Sequence, residues 1–190
     1  MAKKILILNG SPRKHGNTAA LIDAFEQGAA SAGHDVMRFD LQAMDIAPCI
    51  GCLGGGKDRE SPCTQKDAMD SVYPAYREAD IIVLASPLYF WGFTAQLKAA
   101  IDRLFAAMEG EQEATEKGCI MLLVAGGDTN ANCKHMVDYY ECLAMNVGGQ
   151  NLGMVLAGGA YRLGAREGNH ALEDTGRLGA WRGCGGGMPW

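Results

Sequence analysis

The fold is decided by the stretch Ile5-Leu6-Ile7-Leu8-Asn9-Gly10-Ser11-Pro12-Arg13-Lys14-His15-Gly16-Asn17-Thr18. Its first four residues are an apolar run of strand length, and a segment with helical periodicity continues from about Asn17 to Ser31. A strand, a polar loop with glycines and a helix, in this order, are typical of a parallel sheet covered by helices. We therefore take this stretch as the first strand, the first loop and the first helix of an α/β domain.

The remainder of the chain repeats this alternation. Further strands are predicted at His34–Leu41, Ile81–Ala85, Cys119–Ala125 and Asn151–Ala157. Helices are predicted at about Thr94–Met108, at Asn132–Met145 and somewhere within Asn169–Trp181. Strands that are apolar almost throughout, separated by amphipathic helices, indicate a parallel sheet with helices on both faces.

The chain is expected to form one domain. Its 190 residues suit one hydrophobic core, and no repeat or linker divides them. We assign residues 1–182 to this domain and residues 183–190, which contain a run of three glycines, to a flexible tail. The irregular segment Ala47–Lys66 is long for a loop, and loops of that length are usually functional or mobile.

Composition excludes several classes of protein. The net charge of −5 argues against general binding to nucleic acid or to an anionic membrane surface. The first apolar run ends at Asn9-Gly10, too early for a signal peptide, and no stretch is long enough to span a membrane. Seven cysteines without a secreted disulfide pattern predict reduced thiols. We therefore expect a cytoplasmic protein.

The loop after the first strand has the features of a phosphate site. It lies beyond the carboxyl end of a parallel strand, where ligands bind in such folds, and it leads into a helix N-terminus that favours anions. Two glycines permit unusual backbone conformations, and several side chains can donate hydrogen bonds, one of them with a positive charge. These residues are Gly10, Gly16, Ser11, Asn17, Thr18 and Arg13.

This loop differs from two other kinds of nucleotide-binding loop. A Walker A loop has a shorter spacing than the five residues between Gly10 and Gly16, and Asn17 stands where its lysine would be. A dinucleotide loop needs glycine where Pro12 stands, although Asp40 lies roughly where a ribose-binding acid would. Ser11 and Asn17 also suit an ordinary turn and helix cap without a ligand.

Three blocks carry a family resemblance. They are Gly10–Thr18, the run Ser86-Pro-Leu-Tyr-Phe-Trp-Gly-Phe-Thr-Ala95 continuing to Arg103, and Cys49-Ile-Gly-Cys52 with Cys63 beyond it. Over roughly Lys4–Ala157 the sequence resembles the flavodoxin-like NAD(P)H-dependent FMN reductases, and within them the iron–sulfur flavoprotein branch. The resemblance implies a flavodoxin-like, doubly wound, five-stranded parallel sheet in the order 2-1-3-4-5.

The resemblance also implies the residues that contact FMN. The first block would hold the phosphate, the second would run along the ribityl chain and the ring, and the turn after the fourth strand would face the pyrimidine edge. The implied contacts are Ser11, Arg13, Gly16, Asn17, Thr18, Pro87, Leu88, Tyr89, Phe90, Trp91, Gly126 and Gly127. Aromatic residues at the carboxyl end of a strand also suit a flat ring, although they could equally pack under the next helix or in a subunit contact.

The cysteine block departs from the branch pattern. That pattern is Cys-x2-Cys-x2-Cys followed by a fourth cysteine; Cys49, Cys52 and Cys63 fit it, but Gly55 occupies the third position. Because a four-iron cluster ordinarily takes four thiolates, we expect no iron–sulfur cluster, and the same shortage argues against zinc. A remnant of the motif is the favoured interpretation, and a redox pair of Cys49 and Cys52 remains an alternative.

The predicted function follows from the resemblance. The protein would pass electrons from NAD(P)H through FMN to a quinone, a flavin, an azo or nitro aromatic or a redox protein. The flavin carries that chemistry, so no catalytic acid, base or nucleophile is expected, with Tyr89 as a candidate hydrogen-bond donor. The alternatives are an electron carrier without nicotinamide activity and a non-catalytic flavin-binding module. Relatives imply a homodimer or homotetramer.

Overall fold

The structure is a computed structural model that describes residues 1–109, 116–127, 133–162 and 170–181. The predicted tail at residues 183–190 lies outside these ranges. Five strands form one sheet in the order β2-β1-β3-β4-β5, and every neighbouring pair is parallel. The strands are β1 (Lys4–Asn9), β2 (Asp35–Asp40), β3 (Ile81–Pro87), β4 (Lys117–Val124) and β5 (Gly149–Ala157). The predicted fold class is confirmed.

Helices connect these strands and cover both faces of the sheet. In the described ranges they are α1 (Asn17–Ala32), α2 (Met69–Glu78), α3 (Ala95–Glu109), α4 (Lys134–Val147) and α5 (Ala171–Gly179), with a short 3-10 turn at Leu41–Ala43. Helix α2 was not predicted from the sequence. Pro74 lies inside it, and proline within a helical pattern normally ends the helix.

The two faces of the sheet carry separate hydrophobic clusters. Successive residues of a strand point to opposite faces, so Ile5 and Ile7 join one cluster while Leu6 and Leu8 join the other. The first cluster is closed by α1 and α5, and the second by α2, α3 and α4. Burial on both faces explains why the strands read as continuous apolar runs rather than alternating ones.

A crevice opens between β1 and β3 because their following helices lie on opposite faces. The chain leaves β1 for α1 on one face and leaves β3 for α3 on the other, while the two strands pair directly. This arrangement is the topological switch point at which open α/β sheets bind ligands. The topology therefore places the loops after β1 and β3 on either side of one crevice.

Gly10 joins these two loops at their base. Its N–H donates to the Ala85 carbonyl at 2.8 Å, and its own carbonyl accepts from the Thr94 hydroxyl at 2.7 Å. A Cβ atom at Gly10 would lie only 2.6 Å from both Leu97 Cβ and Thr94 Oγ1. Glycine is required here because α3 packs directly against the backbone of the first loop.

The α1–α5 contact is equally close. A Cβ atom at Gly28 of α1 would collide with the backbone carbonyl of Gly176, and one at Gly179 of α5 would collide with the carbonyl of Phe25. A Cβ atom at Gly176 itself would meet only the Ala24 oxygen, at an ordinary 3.6 Å. The close contact between the two helices therefore requires glycine at Gly28 and Gly179 but not at Gly176.

This difference gives a matched pair of variants. Gly28→Ala gains helix propensity but must push α5 away, so we expect a net loss of unfolding free energy of about 1–3 kcal/mol. Gly176→Ala gains the same propensity without a collision and should be neutral or slightly stabilising. Urea unfolding measures both, and equal midpoints for the two variants would contradict the helix contact described here.

Candidate functional site

A cleft of about 410 Å³ lies in the crevice between β1 and β3. Its walls come from four places: the first loop, the loop after β3, the end of β4 and the loop after β5. The described lining residues are Ser11, Arg13, Gly16, Asn17, Thr18, Pro87, Leu88, Tyr89, Val124, Gly126, Ala160 and Tyr161. The size is within the usual range for small-molecule and cofactor sites.

The first loop presents an uncapped helix N-terminus to the cleft. Gly16 is the N-cap of α1 and provides no side-chain cap, and the first turn of the helix contains no acidic residue. Ser11 and Arg13 shape the loop in front of it, since the Arg13 N–H donates to Ser11 Oγ at 3.2 Å. The N–H groups of the first turn and the partial positive charge at this helix end, with Arg13 also lining the cleft, suit an anion.

Asn9 supports this loop from below. Its side-chain oxygen accepts from the Ser11 N–H at 3.0 Å, and its amide donates to Asp40 at 2.8 Å. Burial acts to raise the pKa of Asp40, but the hydrogen bonds from Asn9 and Arg38 outweigh it and hold that pKa below its usual range. Asp40 therefore anchors the loop, which weakens its interpretation as a ribose-binding acid.

The loop after β3 forms the apolar wall. Pro87, Leu88 and Tyr89 line the cleft, and the Leu88 N–H donates to the Val124 carbonyl at 2.7 Å. Beyond Tyr89 the chain turns back, and Phe90 and Trp91 are absent from the described lining and are largely exposed. The wall facing the cleft thus combines one aromatic ring with two smaller apolar side chains.

Three lining residues were not predicted from the sequence: Val124, Ala160 and Tyr161. The loop that carries the last two is tied to α1, because the Asn17 amide donates to the carbonyls of Ala160 at 3.0 Å and Arg162 at 2.9 Å. Asn17 therefore positions a second loop as well as lining the cleft. The only sequence signal was the Gly158-Gly159 turn directly after β5.

Of the twelve predicted contacts, nine line this cleft and three do not. Phe90, Trp91 and Gly127 are absent from the described lining, and the Gly127 carbonyl instead accepts from the Gly159 N–H at 3.0 Å. The structure thus brings the phosphate loop and the apolar wall together. The binding roles of the individual residues stay predictions.

The long loop between β2 and α2 is held by a buried ion pair. Arg103 of α3 is only 1% exposed, and its guanidinium binds Asp67 through two contacts of 2.7 and 3.1 Å. The same guanidinium donates to the carbonyls of Ala47 and Gln65. Burial acts to raise the pKa of Asp67, but hydrogen bonds from Arg103 and from the Met69 and Ala47 N–H groups outweigh it and lower that pKa. Both ends of the segment that carries Cys49, Cys52 and Cys63 are fixed in this way.

An ion pair on the surface of α3 has a modest structural role, as its spacing of four residues suggests. Lys98 and Asp102 lie one turn apart on α3, with 2.6 Å between Nζ and Oδ1, and both side chains are partly exposed. Exposed pairs of this kind add only a few tenths of a kcal/mol to stability. They bind each other rather than a ligand.

Comparison with known proteins identifies the family. The profile described as NADPH-dependent FMN reductase matches residues 3–173. The chain belongs to this family. Membership confirms the predicted class, an FMN-dependent oxidoreductase. Within the described ranges, no helix of this FMN reductase family member is long and apolar enough to cross a membrane.

Individual relatives agree with the family and with the predicted branch. An iron–sulfur flavoprotein of Methanosarcina thermophila is 30% identical over 172 residues, which are 90% of this chain and 86% of the relative. One of Archaeoglobus fulgidus is 37% identical over 95 residues, which are 50% of this chain and 42% of the relative. The chain therefore spans about half the length of some curated relatives that it matches.

Solved structures support the fold. The NAD(P)H:quinone oxidoreductase of Methanothermobacter marburgensis superposes with a TM-score of 0.72 at 20% identity, over 95% of this chain and 96% of the other. At that identity the likeness shows the shared architecture alone.

The cleft fits the cofactor that the family name implies. An uncapped helix end and one arginine meet the needs of a phosphate, and the space of about 410 Å³ opens from there toward an apolar wall. Arg13 is the only formally charged residue among the described lining, so no carboxylate opposes an anion there. The donor set and the shape both suit FMN.

The cysteine segment does not fit an iron–sulfur cluster. A Cβ atom at Gly55, where the third cysteine would stand, would lie 2.9 Å from Ala106 Cα and would collide with the Glu109 carboxylate. That carboxylate already accepts from the Gly55 N–H at 3.1 Å. The groove shared by the three cysteines has only about 50 Å³, and within the described ranges no group of three His, Cys, Asp or Glu residues is arranged to hold a metal.

The cysteines themselves differ in environment. Cys63 is buried in the core, while Cys49 and Cys52 are exposed, and the six cysteines of the described ranges are free thiols. Hydrogen bonds from the Thr64 hydroxyl and the Gly54 N–H lower the pKa of the Cys52 thiol. A redox role for Cys49 and Cys52 stays a prediction.

Iron analysis tests this conclusion. After anaerobic incubation with ferrous iron and sulfide, followed by desalting, we expect well under one iron per chain, because α3 fills the place of the third ligand. Cys63→Ser should leave that value unchanged. An iron content of about four per chain that falls in Cys63→Ser would show that a cluster forms despite Gly55.

Proposed function

We propose that this cleft binds FMN and that the protein transfers electrons from NAD(P)H to an organic or protein acceptor. The proposal is carried by one observation: an uncapped helix N-terminus with a single cation lies at one end of a cleft whose other wall is apolar and aromatic. The bound flavin supplies the hydride and electron-transfer chemistry. With a quinone, one turnover consumes NAD(P)H, the quinone and one proton and yields NAD(P)+ and the hydroquinone.

The first loop binds the phosphate in this proposal. The N–H groups at the start of α1 and the Ser11 hydroxyl donate hydrogen bonds, and Arg13 adds a charge-assisted one. Thr18, which lies in the first turn and lines the cleft, offers a further hydroxyl. Asn9 keeps the loop in shape, so that little ordering is needed when the phosphate binds.

The apolar wall orients the ring. Pro87, Leu88 and Tyr89 exclude water from one side of the cleft, and Gly126 and Tyr161 line it as well. The Tyr161 ring lies against Gly126, since a Cβ atom there would be 3.1 Å from Tyr161 Cδ2. No carboxylate, histidine or cysteine is present in the described lining, which agrees with chemistry carried by the cofactor rather than by a protein acid or base.

The electron acceptor, the oligomeric state and the cellular location are inferred from less specific features. An aromatic wall favours planar acceptors such as quinones, flavins and azo or nitro aromatics, and a redox protein is a further possibility. The exposed rings of Phe90 and Trp91 are consistent with a homodimer or homotetramer. We place the protein in the cytoplasm because the six cysteines of the described ranges form no disulfide with one another.

An anaerobic absorbance spectrum tests the proposed function. We expect the purified, FMN-loaded protein to show flavin bands near ~375 and ~450 nm that bleach on addition of NADPH or NADH and return when menadione is added. Bound flavin that neither nucleotide bleaches would indicate an electron carrier or a non-catalytic module. A protein that takes up no FMN would overturn the assignment of the cleft.

The phosphate end can be tested separately with two flavins. Arg13→Ala should weaken FMN binding about tenfold, the effect of losing one partly exposed charge-assisted hydrogen bond. The same variant should bind riboflavin as well as the wild type does, because riboflavin lacks the phosphate. Fluorescence titration gives both affinities. Lys14→Ala, a neighbouring cation outside the described lining, serves as the control, and an equal loss for the two flavins in Arg13→Ala would contradict the assignment.

A further inference from the structure

The loop after β5 crosses the carboxyl edge of the sheet. In the sheet order β3 and β4 lie between β1 and β5, yet this loop reaches the first turn of α1, which follows β1. On the way it is bonded to the turn after β4. The Ala160 N–H donates to the Ala125 carbonyl at 3.0 Å, and the Gly159 N–H donates to a second carbonyl of that turn. The loop therefore forms the wall of the cleft that lies between β4 and α1.

Asn17 holds the far end of this loop. It is the first residue of α1, and its side-chain amide donates to the carbonyls of Ala160 at 3.0 Å and Arg162 at 2.9 Å. These two carbonyls belong to the residues on either side of Tyr161. One side chain thus fixes the backbone both before and after Tyr161.

These two bonds use both hydrogens of the Asn17 amide. A side-chain amide group has two N–H hydrogens, and each of the two carbonyls accepts one of them. The family resemblance makes Asn17 a contact of the FMN phosphate, and an ionised phosphate oxygen needs a donor. While the amide is bonded to the loop, it has no further hydrogen to donate to a phosphate.

Tyr161 is the side chain that this arrangement places. It lines the cleft, and a Cβ atom at Gly126 would be 3.1 Å from its Cδ2 atom. Tyr161 is nevertheless 84% exposed, so packing against its neighbours does little to hold it. Its position at the cleft therefore depends on the backbone that Asn17 fixes. An exposed ring on the lining of a cleft suits stacking against a flat heterocycle, which would bury its apolar surface.

We propose that Asn17 is a positioning residue that holds Tyr161 against the flavin ring, and that its side chain is not a ligand of the phosphate. The inference rests on the proposed function and deepens it, because it adds Tyr161 to the residues that bind the cofactor. Stacking and burial of apolar area stabilise the bound ring. Because the loop is already held before the flavin binds, little conformational entropy is lost on binding.

Binding of two flavins distinguishes the two roles of Asn17. Asn17→Ala removes the side-chain amide and keeps a good helix former at the start of α1. A positioning role predicts that the affinity falls about tenfold for FMN and for riboflavin alike, because both contain the ring. A phosphate ligand would lose affinity for FMN alone, as expected for Arg13→Ala. Fluorescence titration of the flavin-free protein measures both affinities.

A double-mutant cycle tests whether Asn17 acts through Tyr161. Tyr161→Ala should weaken the binding of both flavins about tenfold, whereas Tyr161→Phe, which keeps the ring, should bind them as the wild type does. In Asn17→Ala/Tyr161→Ala the loss should be no larger than in Tyr161→Ala, because Asn17 then has no ring to position. Losses that multiply to about a hundredfold in the double variant would show two independent contributions and would overturn the proposal.

Hydrogen exchange tests the bonds of Asn17 in the flavin-free protein. In Asn17→Ala the backbone amides of Gly159 and Ala160 should exchange several-fold faster than in the wild type, because the loop that carries them is held by two fewer bonds. Arg13→Ala is the matched control, since it removes another side chain of the same cleft lining. It should leave the exchange of these two amides unchanged.

The outcomes separate this inference from the proposed function. A loss of affinity for FMN alone in Asn17→Ala, unchanged affinity for both flavins, or unchanged exchange of the loop would each overturn the positioning role. If NADPH and NADH fail to bleach the bound flavin while Asn17→Ala weakens both flavins, electron transfer from nicotinamide fails and the positioning role stands. A wild-type protein that binds neither flavin would overturn both.

Discussion

The contact of Gly10 with β3 and α3 is the constraint on which the cleft depends. Its N–H bonds the end of β3, its carbonyl is held by Thr94, and α3 packs where a side chain would otherwise be. The first loop and the loop after β3 are therefore fixed to each other at their base. Only with that fixed base can an anion site and an apolar wall face the same space at a constant separation.

The fold could be predicted because its strongest signals are local. Strands buried on both faces must be apolar throughout, and the sequence shows this directly in Ile81–Ala85 and Cys119–Ala125. Helix α2 was not predicted because Pro74 interrupts the helical pattern. The helix nevertheless has a regular apolar face, formed by Met69, Val72 and Tyr76. Proline within a helix has no N–H to donate, so one backbone hydrogen bond of α2 is lost at Pro74. The packing of α2 against the sheet outweighs this loss.

The site was predictable in part for the same reason. Phosphate loops and aromatic walls are short contiguous motifs, whereas the loop of Ala160 and Tyr161 reaches the cleft through bonds from Asn17, more than a hundred residues earlier in the chain. Arg103 illustrates the same limit. Its position in the sequence matches the family pattern. Its role as a buried partner of Asp67 could not be predicted, because it depends on the packing of α3 against the segment that carries the cysteines.

A chain of net charge −5 can still present a favourable site to a phosphate because the relevant field is local. Asp40 is the carboxylate bonded closest to the loop, and hydrogen bonds from Asn9 and Arg38 already engage it. Among the described lining, the groups that would act on a bound anion are the end of α1 and Arg13, and both are favourable. The net negative charge of the chain acts at longer range, where salt screens it. Affinity for a phosphate is thus set by a few groups within a few ångströms of the site, and a count of charges along the sequence could not have shown it.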